Sequence, residues 1–253
     1  MTQETQPQQW VWITGASSGI GLSLVKRHLA DGWHVIASAR SAGELETLLD
    51  SVPHLHFIPL DVTDKGQLSR CQQAISDLTP YLDRVILNAG NCEYLDIEKP
   101  DWSLHERINA VNYLGMVNCV EVCLPLLKIS PRGHLVGIGS QAVQAPFPRA
   151  EGYGASKAAV RYFLSALRMD VAQYGIDVTC VLPGFVDTPL TQKNDFSMPF
   201  IMSAEQASER IYRALEKRPF EYAFPKRLSM VLTLARCLPK LWLRLNATKP
   251  IND

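Results

Sequence analysis

The residues that most constrain this chain form a glycine-rich turn near the N-terminus, Thr14-Gly15-Ala16-Ser17-Ser18-Gly19-Ile20-Gly21. Residues 10–13, just before it, are an apolar run typical of a buried strand, and residues 22–29 have the apolar spacing of a helix. Glycine permits a tight turn and close approach of the backbone to a ligand, and a helix start offers free N–H groups to an anion. The turn therefore predicts a pyrophosphate site; a glycine turn without a ligand is the alternative.

Short apolar runs alternate with helical patterns along the rest of the chain. Further strands are predicted at residues 35–39, 56–60, 85–87, 133–138, 177–182 and 222–225. Helices are predicted between them, at residues 42–50, 65–78, 102–129 and 153–174. Strands that are apolar throughout are typical of a parallel sheet covered on both faces. The pattern predicts an α/β fold, a Rossmann-type doubly wound parallel sheet of about seven strands with helices on both faces, in which ligands bind beyond the carboxyl ends of the strands.

Composition limits the function classes. The 253 residues contain no linker-like stretch, so we expect one domain at 10–253, preceded by a disordered tail at 1–9. Balanced charge, with 25 basic and 25 acidic residues, gives no support to nucleic-acid binding. The six cysteines and six histidines form no metal-ligand motif. Isolated cysteines and a polar N-terminus without a signal peptide predict a reducing, cytoplasmic location.

Three polar residues further along the chain have the chemistry of proton transfer. Tyr153 and Lys157 are four residues apart on a predicted helix and so share one face. A tyrosine ordinarily has a pKa of about 10, and a nearby ammonium favours the phenolate and lowers that pKa. Ser140 follows a predicted strand, which places its hydroxyl at the same sheet edge. The alternatives are a surface Tyr–Lys pair and a turn or cap serine.

Taken together, the glycine turn, Asn88-Ala89-Gly90, Asn112, Ser140, Tyr153-x-x-x-Lys157 and Pro183-Gly184 resemble the motif series of the short-chain dehydrogenase/reductase family, over about residues 10–188. The resemblance implies an oxidoreductase that interconverts a carbonyl compound and an alcohol by hydride transfer. Tyr153 would be the acid/base and Ser140 would bind the substrate oxygen. Asn112 would bend its helix and hold a water through its backbone carbonyl. The alternative is a catalytically silent dinucleotide-sensing protein of the same fold.

The resemblance also implies which residues bind the dinucleotide. Asp61 and Val62 would contact the adenine, Val186 and Thr188 the nicotinamide carboxamide, and Lys157 the nicotinamide ribose. The full implied set is Gly15, Ser17, Ser18, Gly19, Ile20, Gly21, Arg40, Ser41, Asp61, Val62, Asn88, Ala89, Gly90, Tyr153, Lys157, Pro183, Gly184, Val186 and Thr188.

The end of the second predicted strand bears on the choice of cofactor. A site selective for NAD places an acid there to bind the ribose 2′-hydroxyl, whereas this strand continues as Ala39-Arg40-Ser41. An arginine pairs well with a 2′-phosphate. The sequence therefore favours NADP(H) over NAD(H); the alternative is that Arg40 stacks on the adenine.

Residues 189–217 occupy the place of the family's substrate lid, and their apolar content favours an apolar carbonyl or alcohol substrate. The alternative is that the apolar face of the lid packs against the rest of the protein. The resemblance also implies a homodimer or homotetramer through the helices at 102–129 and 153–174. Five apolar residues there belong either to that interface or to the core: Leu124, Leu127, Leu164, Leu167 and Val171.

Residues 226–253 form an apolar and basic extension. Arg236, Lys240 and Arg244 recur every four residues, as in one stripe of a helix, and Pro239 interrupts the segment. The favoured interpretation is a helix pair that packs over the pocket or against a partner subunit. The alternative is an amphipathic segment on an anionic membrane surface.

Overall fold

The computed structural model describes residues 8–247. Residues 1–7 of the predicted N-terminal tail and residues 248–253 of the C-terminal extension lie outside this range. Gln8 and Gln9 lead directly into the sheet, since the Gln8 carbonyl accepts a hydrogen bond from the Tyr81 hydroxyl at 3.0 Å and the Gln9 carbonyl accepts one from the His34 N–H at 2.9 Å.

The predicted doubly wound parallel sheet is confirmed. Within the described residues it has seven strands in the order β3-β2-β1-β4-β5-β6-β9, and all neighbours are parallel. A second, two-stranded sheet joins β7 to β8. The strands are β1 Trp10–Thr14, β2 His34–Ala39, β3 Leu55–Pro59, β4 Arg84–Leu87, β5 His134–Ile138, β6 Asp177–Pro183, β7 Val186–Asp187, β8 Met202–Ser203 and β9 Glu221–Phe224.

Helices cover both faces of this sheet because successive strand residues point to opposite sides. In β1, Trp10 and Trp12 pack in one core cluster, and Val11 and Ile13 pack in the other. Helices α3, α5 and α6 supply the first cluster, and α1, α2 and α7 supply the second. The helices are α1 Gly19–Ala30, α2 Glu46–Leu49, α3 Lys65–Leu78, α4 Leu104–Asn109, α5 Gly115–Ile129, α6 Glu151–Val171, α7 Ala204–Glu216, α8 Lys226–Cys237 and α9 Pro239–Asn246.

The long helix predicted at 102–129 is interrupted. Between α4 and α5 lies a π-helical segment, Ala110–Leu114, which places Asn112 at its centre. By length and composition the whole stretch Leu104–Ile129 could cross a membrane, but half of it is buried inside the fold. Its α5 part belongs to the first core cluster, whereas Leu104 and Ile108 of α4 form a separate small cluster with Leu95.

Several apolar residues that sequence placed either at an interface or in the core belong to the core. Leu127 and Leu164 are completely buried, and Val171 is 3% exposed. Leu124 and Leu167 are partly buried against the same cluster. The outward faces of the two helices instead carry other large side chains, among them Tyr162 and Met169.

The region 189–217 contains two different structures. Residues 189–203 are mostly irregular, with one short helical turn at Thr191–Lys193 and strand β8. Helix α7 follows, capped by Ser203 and Gln206 in a reciprocal capping box. Its residues Ala207, Ile211 and Leu215 are fully buried in the second core cluster. In the first part of the region, by contrast, Met202 is the residue that belongs to a core cluster among those described.

Candidate active site

A cleft of about 440 Å³ opens at the carboxyl ends of the parallel strands. The loops after β1, β2, β3, β4, β5 and β6 all contribute to its wall, as expected where the strand order reverses. Of the residues predicted for the site, all line this cleft except Gly21 and Asn112, which lie directly behind its wall. The lining residues that were predicted are Gly15, Ser17, Ser18, Gly19, Ile20, Arg40, Ser41, Asp61, Val62, Asn88, Ala89, Gly90, Ser140, Tyr153, Lys157, Pro183, Gly184, Val186 and Thr188.

Two glycine positions of the turn have no room for a side chain. Gly15 has φ +63°, and a Cβ there would lie 2.8 Å from the Ala89 Cα. Gly21 does not face the cleft, but a Cβ there would lie 2.1 Å from the Gly15 carbonyl oxygen. The Asn88 amide fixes the turn by donating to the carbonyls of Thr14 at 3.2 Å and Gly15 at 3.0 Å. Gly15 therefore presents bare backbone to the cleft, and Gly21 allows the turn to close behind it.

Helix α1 begins at this turn with its first N–H groups available. Ser18 is the N-cap residue, its side chain makes no capping hydrogen bond, and the first turn of α1 contains no acidic residue. A helix N-terminus carries a partial positive charge and donors that suit a phosphate. The cradle of bare backbone and free donors fits the pyrophosphate of a dinucleotide.

Two loops shape the end of the cleft next to β2 and β3. Arg40 and Ser41 follow β2 and are exposed, and among the described residues no carboxylate lies within ion-pair distance of Arg40. Asp61 follows β3, and its carboxylate accepts hydrogen bonds from the Thr63 N–H at 2.9 Å and hydroxyl at 2.7 Å. Arg40 thus offers an uncompensated positive charge at the cleft.

Ser140, Tyr153 and Lys157 meet at the opposite end. Ser140 caps the short helical turn after β5, and its Oγ accepts the Ala142 N–H at 3.1 Å. Tyr153 and Lys157 project from the first turns of α6. The Lys157 Nζ lies 5.9 Å from the centroid of the Tyr153 ring and donates to the Ile138 carbonyl at 2.9 Å. The three side chains converge at one wall of the cleft.

The electrostatics differ from the sequence expectation. Burial raises the pKa of Tyr153 to about 12, and its hydrogen bond with Ser140 only partly offsets this. Burial also lowers the pKa of Lys157 to about 8. The expected lowering of the tyrosine pKa by Lys157 is therefore not found in this structure, because the ammonium is directed at the Ile138 carbonyl and burial dominates.

Asn112 lies behind the cleft as a buried clamp. Its Oδ1 accepts the Asn91 N–H at 2.6 Å, and its Nδ2 donates to the Asn91 carbonyl and the Ser156 hydroxyl, each at 2.9 Å. These bonds join the loop after β4 to α6. A Cβ on Gly90 would lie 3.3 Å from the Asn112 Oδ1 and 3.4 Å from the Lys157 Nζ, so the clamp, the loop and the lysine are packed together.

Sequence reasoning missed some residues of the site. Asn91 and Thr191 line the cleft. Cys92 and Tyr94 follow Asn91 on the loop after β4. The Tyr94 ring packs edge-on to Phe196 with centroids 5.5 Å apart. The position of residues 91–94 directly after a strand end was the signal that could have found them. Leu60, Ile138, Gly139 and Val111 also line the cleft.

The model of the family described as short chain dehydrogenase matches residues 9–197 of this chain. The chain belongs to the short-chain dehydrogenase family. Its similarity to an uncharacterized oxidoreductase of Myxococcus xanthus is 32% identity over 231 residues, covering 90% of this chain and 91% of that protein. The family membership predicted from the motif series is thus confirmed, and with it an oxidoreductase class.

Solved structures of the short-chain dehydrogenase family agree with the fold. A short-chain dehydrogenase from Burkholderia cenocepacia in complex with NADP has a TM-score of 0.82 at 24% identity, covering 96% of this chain and 98% of that one. The Pseudomonas aeruginosa RhlG/NADP active-site complex has a TM-score of 0.68 at 27% identity, covering 73% of this chain and 75% of that one. Both share the overall fold described above.

Proposed function

We propose that this chain is an NADP(H)-dependent oxidoreductase that interconverts a carbonyl compound and an alcohol, with Tyr153 as the acid/base. The observation that carries the proposal is the convergence of Ser140, Tyr153 and Lys157 on the cleft that also contains the glycine turn. A protein that only sensed a dinucleotide would have no use for a hydroxyl, a phenol and an ammonium grouped at one wall.

The residues divide the proton chemistry between them. A bound nicotinamide dinucleotide supplies or accepts the hydride. Tyr153, whose pKa of about 12 keeps it protonated at neutral pH, donates a proton to the substrate oxygen during reduction. Ser140 hydrogen-bonds that oxygen and stabilises the charge developing on it. Lys157 is poised to exchange protons near neutral pH because its pKa is about 8.

A preference for NADP(H) follows from Arg40. The guanidinium stands exposed at the end of β2, where an NAD-selective site would place a carboxylate. A 2′-phosphate would supply the counter-charge that no described residue provides. The Burkholderia cenocepacia and Pseudomonas aeruginosa structures, both complexes with NADP, support a dinucleotide of this kind.

The substrate is proposed to be apolar. Phe196 packs on Tyr94 and on Phe185, with centroids 5.5 Å and 6.1 Å apart, and the three rings form an aromatic wall. Burial raises the pKa of Tyr94 and Tyr153 contributes to this rise, so this wall lies near the catalytic tyrosine. Next to Phe196, the Asp195 carboxylate accepts hydrogen bonds on both oxygens from the Arg149 Nη1, at 3.0 Å and 2.9 Å, in an exposed ion pair. An aromatic wall favours an apolar or aromatic carbonyl compound over a sugar.

We also propose that the protein is a homodimer or homotetramer and works in the cytoplasm. Helices α5 and α6 leave large side chains outward, including Tyr162, which is 80% exposed. The six cysteines are free thiols, which fits a reducing compartment.

The test is a panel of apolar, aromatic, sugar and charged carbonyl compounds, each supplied with NADPH or NADH and followed by nicotinamide absorbance. We expect reduction of apolar or aromatic members, faster with NADPH. If the purified chain binds NADPH but reduces no member and oxidises none of the matching alcohols, the enzymatic proposal is wrong and the sensing alternative replaces it.

A further inference from the structure

The C-terminal helices α8 and α9 leave a row of large apolar side chains in solvent. Leu234 is 61% exposed on α8, and Leu241 and Leu245 are 51% and 73% exposed on α9. Seven of the large apolar side chains that are exposed in the described chain fall within residues 230–245. We call them the apolar ridge: Met230, Val231, Leu234, Leu238, Leu241, Leu243 and Leu245.

The ridge belongs to a helix pair whose inner side is already packed. On α8, Leu228 and Leu232 are buried in a small core cluster. On α9, the Trp242 ring packs edge-on to Phe147 at 5.7 Å, and its Nε1 donates to the Pro146 carbonyl at 2.7 Å. The helices are therefore anchored. At 100° per residue, Leu241 and Leu245 lie on one flank of α9 and Leu243 on the other, so the exposed leucines border the packed side.

The charges around the ridge all have one sign. Between residues 226 and 247 there are five basic residues and no acidic one. The basic residues of α8 and α9 are Lys226, Arg227, Arg236, Lys240 and Arg244. Among the described residues, no carboxylate lies within ion-pair distance of the first four of these. The surface therefore combines uncompensated positive charge with exposed aliphatic side chains.

The ridge lies close to the rim of the cleft. Phe185 packs against the cluster that holds Leu228 and Leu232, and its ring also contacts Phe196 of the aromatic wall. Leu228 itself approaches the cleft loop, since a Cβ on Gly184 would lie 2.7 Å from the Leu228 Cδ2. One chain of contacts thus links the basic, apolar surface to the segment that borders the cleft.

We propose that α8 and α9 bind an anionic phospholipid bilayer. The apolar ridge would enter the headgroup–acyl boundary, and the basic side chains would face the phosphate and carboxylate headgroups. A second copy of the chain is a poorer occupant, because a two-fold contact places the same surface against itself and would bring like charges together. Binding would place the cleft rim beside the bilayer, where apolar carbonyl compounds dissolve. This inference does not depend on the proposed reaction.

The test is flotation of the full chain with two kinds of vesicle, phosphatidylcholine alone and phosphatidylcholine with phosphatidylserine. We expect binding to the anionic vesicles only, weakened by added salt. Leu234→Glu should reduce vesicle affinity on the order of tenfold or more, since it removes an inserted side chain and adds a repelled charge. Lys240→Glu should have a similar effect that high salt reduces.

Ile129→Glu is the matched control. Ile129 is 63% exposed, nearly the same as Leu234, but ends α5 far from the C-terminal helices in sequence, so its substitution should leave vesicle affinity unchanged. Circular dichroism and thermal unfolding of each variant show that its fold is intact. No binding by the native chain, or equal binding by Leu234→Glu, overturns the proposal. If vesicles are not bound and Leu234→Glu lowers the molar mass in solution, the surface is instead an interface between copies.

Discussion

At the scale of single residues, burial controls the site. Tyr153 and Lys157 both have pKa values shifted toward the neutral form, to about 12 and about 8. A neutral phenol and a lysine near its titration point are suited to giving and passing on a proton. Both states depend on the apolar surroundings of α6 and not on an ion pair between them.

Tyr153→Phe tests the proton step. We expect turnover to fall about 100-fold or more, the usual contribution of a general acid, while NADPH affinity stays within a few-fold because the ring remains. Turnover and fluorescence titration measure the two quantities. Tyr162→Phe, on the exposed side of the same helix, is the control and should be silent. Near-native turnover in Tyr153→Phe would remove this residue from the mechanism.

Arg40→Asp tests cofactor choice. Losing a charge-assisted contact to the 2′-phosphate and gaining an acceptor for a 2′-hydroxyl should shift the ratio of kcat/KM for NADPH over NADH by about 10- to 100-fold toward NADH. Arg70→Asp makes the same charge change at an exposed position of α3 and should leave the ratio of kcat/KM for the two cofactors unchanged. An unchanged ratio in Arg40→Asp would contradict the assignment.

Lys157→Met tests the buried cation through stability. In the unfolded chain Lys157 has its ordinary pKa of 10.5, whereas in the folded chain its pKa is about 8. Between these values the unfolded state binds more protons, so stability rises with pH. Relative to the variant, the native free energy of unfolding should rise by up to about 3 kcal/mol from pH 8 to 10.5. Urea unfolding of the native chain and the variant at pH 8 and pH 10.5 measures this change. If the difference in free energy of unfolding between the two proteins is the same at both pH values, the ammonium is solvated.

At the scale of elements, α1 is joined to β4 and α7 by a buried polar cluster away from the cleft. His28 donates through Nδ1 to the Leu24 carbonyl at 2.8 Å and, in this tautomer, accepts the Arg84 guanidinium through Nε2 at 3.2 Å. Its ring packs edge-on to Trp33 and Tyr212. Burial lowers the pKa of His28 to about 3, so the contact requires a neutral histidine.

As a consequence, this buried polar cluster makes the stability of the protein sensitive to acid. As the pH falls below 6.5, His28 becomes protonated in the unfolded chain but stays neutral in the folded chain. The free energy of unfolding of the native chain should therefore fall by about 2 kcal/mol by pH 4.5. His28→Gln should lose less over the same interval, although it is less stable at neutral pH. His54→Gln, at an exposed histidine, should behave like the native chain in chemical denaturation at both pH values.

Sequence patterns predict some elements better than others. The strands were predictable because a strand buried on both faces is mostly apolar, as in residues 10–13 of β1. The π-helical segment around Asn112 was implied only by resemblance, since its apolar spacing resembles that of an ordinary helix. The His28–Arg84 contact was not predictable, because it joins residues 56 positions apart. The roles of the site residues remain predictions, although the cleft brings nearly all of them together.

At the scale of the whole molecule, the proposed homo-oligomer would pair through the outer side of α6. Tyr162 and Met169 are 80% and 74% exposed on that side. If copies pair there, Tyr162→Glu places a charge at the contact and should convert the oligomer to a monomer at micromolar concentration. Light scattering measures the molar mass. A native chain that is already monomeric would contradict the proposed homo-oligomer.

The strand order also determines when the cleft can exist during synthesis. β1 is made first, yet one of its two neighbours in the sheet is β4, whose register with β1 pairs Thr14 with Leu87. The lining of the cleft continues to Thr191. A chain leaving the ribosome from its N-terminus therefore has its glycine turn long before it has a pocket. A dinucleotide can stabilise the nascent protein only after Thr191 has emerged. Until β4 has emerged, β1 presents an unpaired edge that is open to wrong partners.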